Sequence, residues 1–283
     1  MRFDNQLRSW LFLGVTSVII LSLCQVYWGR NGLLWAFALL FTSNSLFFFL
    51  GESHIKNFFD YELLEGRDPW GITEFTQNLS NKLHMNKPLI YIIPVKQCQS
   101  FALGQSFNKG RIYLTKGLID SLNIAEIESI LAYHIVSIKH HHTQAFSLMS
   151  SVAGSFLYIT YRVDYLFSWL LMNTQKKVRF NKGGLITRLT AQFLAIIFNF
   201  IFSPGELLKV DRITSQLTGN SQALASALWK IESYSKTDPL QVPLHLSHLF
   251  IINPQNKGTL MNYFGIQPKT AQRINKLLGH YPI

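Results

Sequence analysis

Nine histidines occur in the 283 residues: His54, His84, His134, His140, His141, His142, His245, His248 and His280. Imidazole can ligate a metal or carry a proton, and spacing decides which. Two histidines four apart on one helix face, with a glutamate between them, converge on a single zinc ion and supply a base for its bound water. No two of the nine stand four apart, so no register produces that arrangement. The densest histidine stretch is Asn123 to Thr143, NIAEIESILAYHIVSIKHHHT. Within it His134 and His141 share a helix face but lie two turns, about 10 Å, from each other, too far for one ion. His140, His141 and His142 are consecutive and fan around the axis, which suits a polar helix end beside the C-terminal dipole.

The element that must position these side chains is itself well marked. Asn123 with Glu126 three residues later has the form of a capping box, in which each side chain takes a backbone donor at the helix start. Ile124, Ile127, Leu131, Ile135 and Ile138 then recur at helical spacing and predict one buried stripe.

Around this helix the chain is apolar: 48% of residues are hydrophobic, 14% aromatic, and mean hydropathy is +0.15. That balance, with several uncharged runs, predicts a membrane protein. Ser9 to Gly29 and Leu33 to Gly51 read as two spanning helices joined by a tight turn at Gly29-Arg30-Asn31-Gly32, with Trp10, Tyr27 and Trp28 at the ends. Arg2 and Arg8 favour a cytoplasmic N-terminus. Thr143 to Tyr161 is a third uncharged run, interrupted by Arg162 and Asp164 before Tyr165 to Met172, and Leu189 to Gly205 is a fourth. Arg162 and Asp164 are expected to partner each other near an interface. Between the third and fourth runs lie Lys176, Lys177, Arg179, Lys182 and Arg188 with no acid. With a cytoplasmic N-terminus and all four runs crossing, this basic loop would sit outside, against the positive-inside tendency; either the last two runs form an incompletely spanning hairpin, or the orientation read from Arg2 and Arg8 is reversed.

From residue 52 a solvent-facing portion begins, with a helix predicted over Ile72 to Leu83 and a proline-bounded strand at Leu89 to Ile93. Ser100 to Gly104 and Arg111 to Thr115 flank Asn108-Lys109-Gly110 as a hairpin. Cys24 and Cys98 provide neither a disulfide framework nor a thiol metal site, and fit a reducing, cytoplasm-facing domain. The net charge of +11 is dispersed and lacks a base-stacking motif, so it points to anionic lipid and not to nucleic acid.

Ile130 to Thr143, ILAYHIVSIKHHHT, resembles the active-site helix of the HtpX family of membrane zinc proteases, V-L-A-H-E-L-G-H-I-K-H-R-D-T. On that pattern Tyr133 and Ser137 stand where the two ligand histidines would be, and His134 where the general-base glutamate would be. Ser203 to Arg212 resembles the segment carrying the third ligand, with Leu207 in the glutamate's place and Glu206 one residue, about 100°, away. Further resemblance lies in Ser100 to Gly104, Thr115 to Leu122, Gln222 to Ile231, a strand at Ser247 to Pro254, and Pro268 to Leu277 with Gln267 replacing a histidine.

The resemblance implies an α-helical membrane protein with a zincin-like α+β domain. Its parts would be a transmembrane hairpin at 1–51, a first zincin-like part at 52–143, membrane segments at 144–205 and a second zincin-like part at 206–283. It also implies a pseudoprotease: a quality-control peptidase fold without the residues for zinc or for proton transfer, so neither a cofactor nor catalytic residues are expected. Such a protein would act by binding membrane proteins, peptides or an active relative, with Ser100, Phe101, Ala102, Leu103 and Gly104 as a strand able to pair with an extended chain. The alternatives are an active zinc metalloendopeptidase with a displaced site drawn from His134 and His140 to His142, and a metal- or lipid-binding membrane module. The expected setting is a bacterial inner membrane with the domain facing the cytoplasm, alone or as an oligomer.

Overall fold

Alternation along three strands divides the interior in two. The computed structural model describes residues 14, 17–18, 21–22, 24–38, 42, 59–64, 68–104, 110–172, 184–201, 204–254 and 267–279. Its sheet comprises β1 (Glu62–Leu63), β2 (Leu89–Ile93), β3 (Ser100–Leu103) and β4 (Arg111–Thr115) in the order β1-β2-β4-β3. β2 and β4 run parallel, while β3 and β4 form the antiparallel pair expected from the sequence. Because side chains alternate across a strand, Ile90, Ala102, Ile112 and Leu114 enter one core while Ile93, Phe101, Leu103 and Tyr113 enter another.

The first core lies under α1 (Ile72–Lys82), α2 (Lys116–Ser121), α3 (Ile124–Lys139), α6 (Pro204–Thr218), α7 (Ser221–Thr237) and α8 (Thr270–Leu278). α3 is its central member. Asn123 Oδ1 accepts from the Glu126 N–H and Glu126 Oε2 accepts from the Asn123 N–H, both at 2.9 Å, so the capping box is formed. Glu126 also accepts from Ser226 Oγ at 2.6 Å and Lys230 Nζ at 2.8 Å, which ties the start of α3 to α7. Burial works to raise the Glu126 pKa, but these donors outweigh it and hold the carboxyl below its usual range.

The second core is aromatic. Tyr91 stacks on Tyr113 at 5.0 Å, Tyr113 on Phe101 at 4.7 Å, and Phe101 meets Phe250 at 4.8 Å. Over this face lie the first turns of α4 (His142–Met172), with Ala145 and Phe146, and a 3-10 turn at Leu244–Leu249. α5 (Leu185–Ile201) adds Ala191 and Leu194.

Several expectations are corrected. The histidine helix ends at Lys139: His140 is its C-cap, His141 adopts φ 58, and His142 begins α4. α4 runs unbroken through Arg162 and Asp164, which do not pair. Arg162 donates to the Tyr158 hydroxyl from Nε (3.1 Å) and Nη2 (2.7 Å), one turn back. Asp164 caps α5, accepting from the Ile186 N–H at 3.2 Å and the Thr187 N–H at 2.8 Å. A carboxylate there satisfies donors that a helix start leaves open. The strand expected at Ser247 to Pro254 is a 3-10 turn followed by one bridge, Phe101 to Phe250.

At the N-terminus residues 24–38 are helical in hydrogen bonding. A Cβ on Gly32 would fall 2.7 Å from the Cys24 carbonyl oxygen, eight residues back, a separation of about 12 Å in a continuous helix. The helix is thus locally distorted at this point, with Gly29 at φ 60. The remainder of the two N-terminal runs, residues 52–58, the hairpin tip 105–109 and the basic residues 176–182 lie outside the described residues. Among the described residues no helix is long and apolar enough to cross a membrane.

Gly117 lies where a Cβ would overlap the Lys96 carbonyl oxygen, and its own N–H donates to Val95 O at 2.9 Å. Gly117→Ala is expected to cost ~3 kcal/mol in a urea titration, because backbone must move to admit it. Gly71→Ala meets open space at φ 68 and should cost only the dihedral strain, ~1 kcal/mol.

Candidate functional site

α3 presents Tyr133 and Ser137 one turn apart, and α6 places Leu207 one turn before Asp211 on its own buried face. The two helices pack directly against each other, and α8 adds a polar clasp beside their contact. Arg273 Nε and Nη2 donate to Asp211 Oδ2 and Oδ1 at 2.8 and 2.7 Å, a bidentate pair. Arg273 Nη1 donates to the Ile251 carbonyl at 2.8 Å. The guanidinium carbon sits 5.0 Å from the centre of the Tyr133 ring, within cation–π range. Arg273 and Asp211 are each only 2% exposed.

Burial opposes charge on Arg273, but Asp211 and the Tyr133 phenol more than offset it, so the guanidinium is held firmly protonated. Burial raises the Tyr133 phenol, with Arg273 pulling the other way, so Tyr133 is neutral. Its hydroxyl interacts with Arg273 and with Ser137, though the Ser137 approach falls short of full hydrogen-bond geometry and leaves that buried Oγ without a partner. Leu207, 5% exposed, packs in the aromatic core with Phe146, Leu249 and Phe250.

His134 points to the sheet. Its Nε2 lies 2.9 Å from Ser100 Oγ, a spacing typical of a nucleophile and its base. The environment argues otherwise. Burial, aided by the positive Arg273, lowers the imidazole pKa to about 3, too low to accept a serine proton efficiently near neutrality. Ser100 is fully buried, so no substrate atom reaches it. His134 and Ser100 therefore join α3 to β3.

The other predicted positions are dispersed. His140 to His142 occupy the corner between α3 and α4, and the rings of His140 and His142 are 6.4 Å apart. His248 Nε2 lies 3.2 Å from the Phe146 carbonyl, and burial lowers its pKa to about 4. Glu206 is on the first turn of α6 with Lys209 at 2.5 Å. Ser100 to Gly104 is buried throughout, and part of its outer edge is taken: the Ile251 N–H donates to Ser100 O at 3.0 Å and Phe101 bridges Phe250.

Residues 71–280, about three quarters of the chain, match Peptidase family M48. The chain belongs to peptidase family M48. A Protease HtpX homolog from Acaryochloris marina is 27% identical over 276 residues, covering 97% of this chain and 94% of the relative. Protease HtpX of Legionella pneumophila is 26% identical over 285 residues, covering 98% and 99%. The crystal structure of S. mikatae Ste24p shares the fold at TM-score 0.51 and 16% identity; 94% of this chain aligns, spanning 63% of that one.

The zinc chemistry of M48 peptidases does not fit the donors this member presents. A phenol, a serine hydroxyl and a leucine stand at the three positions that the sequence resemblance matches to zinc ligands, and Asp211, the nearby carboxylate, is committed with both oxygens to Arg273. Among the described residues no three of the His, Cys, Asp and Glu side chains are grouped to hold a metal ion. What sequence reasoning missed is the clasp itself. Asp211 and Arg273 both fall in segments that resemble the family, but nothing in either segment shows that they meet across 62 positions.

Arg273→Met should destabilise the protein by ~3–5 kcal/mol, because it leaves the Asp211 carboxylate buried and unpaired, and Asp211→Asn beside it should recover part of the loss. For His134 the folded pKa is depressed below the unfolded value of roughly 6.5. Its stabilising contribution is thus complete above about pH 6.5 and is lost as pH falls toward about 3. In urea titrations between pH 7 and 5, His134→Gln should therefore show a shallower loss of stability than the natural protein, by about 1 kcal/mol per pH unit.

Proposed function

We propose that this M48 member is a membrane-associated pseudoprotease that binds polypeptide without cleaving it. The observation that carries the reading is that Tyr133, Ser137, His134 and Leu207, all buried, stand at the positions that the resemblance matches to the two ligand histidines, the base and the third ligand. A catalytic zinc needs about three protein donors and a water, and the base alone is worth ~10²–10⁴-fold in rate. Both contributions would have to come from elsewhere.

Binding requires less. The fold retains the sheet beside α3, and an extended segment could pair with β3 beyond the Phe250 bridge, at Ala102 to Gly104, or along its whole length if the 250–251 segment yields. The bound polypeptide would be a membrane protein, a peptide released from one, or an active relative of the same family. Long homology to proteins named HtpX, together with the uncharged runs, supports placement in a bacterial inner membrane with the domain on the cytoplasmic side.

The test is zinc content and cleavage of casein and of a membrane protein by the purified, detergent-solubilised chain. The expected outcome is well under one zinc per chain and no cleavage above a buffer control. One zinc per chain, lost on replacing His134 or His140, would overturn the reading in favour of a displaced catalytic site. A quadruple variant, Tyr133→His, His134→Glu, Ser137→His and Leu207→Glu, should bind zinc at micromolar supply, with proteolysis lagging because outer partners also orient ligands.

A further inference from the structure

α1 belongs to an excursion from the sheet that returns to where it left. The Leu64 N–H, just after β1, donates to the Ile90 carbonyl of β2 at 2.9 Å, so the residues bracketing the excursion are hydrogen-bonded neighbours. Lifting α1 away would therefore part no strand pair. α1 packs on α3, and its buried residues are Ile72, Thr76, Leu79 and Ser80. Half of that buried face carries hydroxyls. Thr76 Oγ1 and Ser80 Oγ have no hydrogen-bond partner, although both residues are 0% exposed.

The other helices around this core treat their buried hydroxyls differently. Ser129 on α3, Thr214 on α6 and Ser235 on α7 each donate to the carbonyl one turn back, at 2.8, 2.8 and 2.7 Å. α7 also buries Leu224, Leu228 and Ile231. Burying an unbonded hydroxyl costs free energy of the same order as burying an aliphatic side chain gains. Thr76 and Ser80 thus offset much of what Ile72 and Leu79 contribute, and α1 is held less firmly than its neighbours. Its polar ties are slight as well. Among the described residues one hydrogen bond joins α1 to α3, from exposed Lys139 Nζ to the carbonyl of Leu83, the α1 C-cap. Asp68, which accepts from the Trp70 and Thr73 N–H groups at 3.2 and 2.5 Å, lies within the excursion and moves with it.

The face of α3 on that side is apolar. One and two turns before Lys139 lie Ile135, Ala132 and Leu131, all buried in the core that α1 covers. A surface that seats one short amphipathic helix accepts another of the same pattern, and a helix with apolar groups in place of the two hydroxyls would fill it better. We propose that α1 is a flap hinged at the Leu64–Ile90 pair, and that the α3 face beneath it binds an amphipathic helical segment of a client polypeptide in place of α1. This rests on the polypeptide-binding reading above and adds to it a second surface, which takes a helix where β3 would take an extended chain.

The probe is a fluorescent peptide of residues 70–84 carrying T76V and S80A, added to the full chain in neutral detergent and read by anisotropy beside the peptide of natural sequence. The changed peptide should bind more tightly, by roughly tenfold per hydroxyl removed. T76V/S80A made in the chain itself should weaken binding of the probe by a similar factor, because the flap then competes better. Hydrogen exchange read by mass spectrometry should show α1 amides exchanging ahead of α7 amides in the natural chain, and more slowly in T76V/S80A.

Exchange of α1 in step with α7 overturns the flap. Absence of probe binding overturns the site, as does equal binding by T76V/S80A and the natural chain. If T76V/S80A does not fold, K139M carries the test by removing the outer tie: faster α1 exchange with tighter probe binding supports the flap, and no change in either overturns it. Cleavage of casein by the natural chain would sink the reading this rests on and leaves α1 exchange untouched, so the two failures are distinguishable.

Discussion

One buried ion pair connects more of this molecule than any other polar contact described. Asp211 on α6 and Arg273 on α8 share two short hydrogen bonds, Arg273 reaches the Ile251 carbonyl beyond the sheet edge, and its flat face covers Tyr133 on α3. Four separate stretches of chain are thereby held at one point. Two charges withdrawn from water are costly to bury, and only near-complete pairing offsets that cost. Here both carboxylate oxygens and three guanidinium nitrogens are used. The pair stands beside Tyr133 on α3 and within α6, so this region of the fold keeps a defined shape.

The surroundings of the clasp follow from that shape. Tyr133 brings a ring for the guanidinium to lie against, and Leu207 packs into the aromatic core. His134 is a buried neutral donor or acceptor for Ser100. Each of these side chains is compatible with the backbone of the fold. A helix tolerates such changes because its geometry is set by main-chain hydrogen bonds and by the apolar stripe of Ile127, Leu131, Ile135 and Ile138, which is buried, although Ile124, expected to begin it, is exposed.

What the sequence made legible was local. The start of α3 could be read from Asn123 and Glu126 because both partners of a capping box lie within one turn, and the strands at Leu89 and Arg111 could be read from β-branched and aromatic residues between turn formers. What it concealed was reached through space. Asp164 looked like a partner for Arg162 two residues away, yet it serves backbone donors more than twenty residues on, while Arg162 turns to a tyrosine one turn back. The corner at His141 was hidden for another reason: a left-handed non-glycine residue leaves no strong compositional trace. Identifying the site positions needed a family pattern, and their packing needed coordinates.

The sheet has unequal borders. β1, at one margin, contributes only two residues, and at the other the Phe250 bridge and the Ile251 N–H occupy the start of β3. A long bare strand would offer its unpaired amides to the same strand of a second molecule and so seed stacking of like on like. Here one margin is too short to template such growth and the other is partly covered by the chain itself. Copies of the protein at high concentration can therefore collide often without polymerising through these two margins.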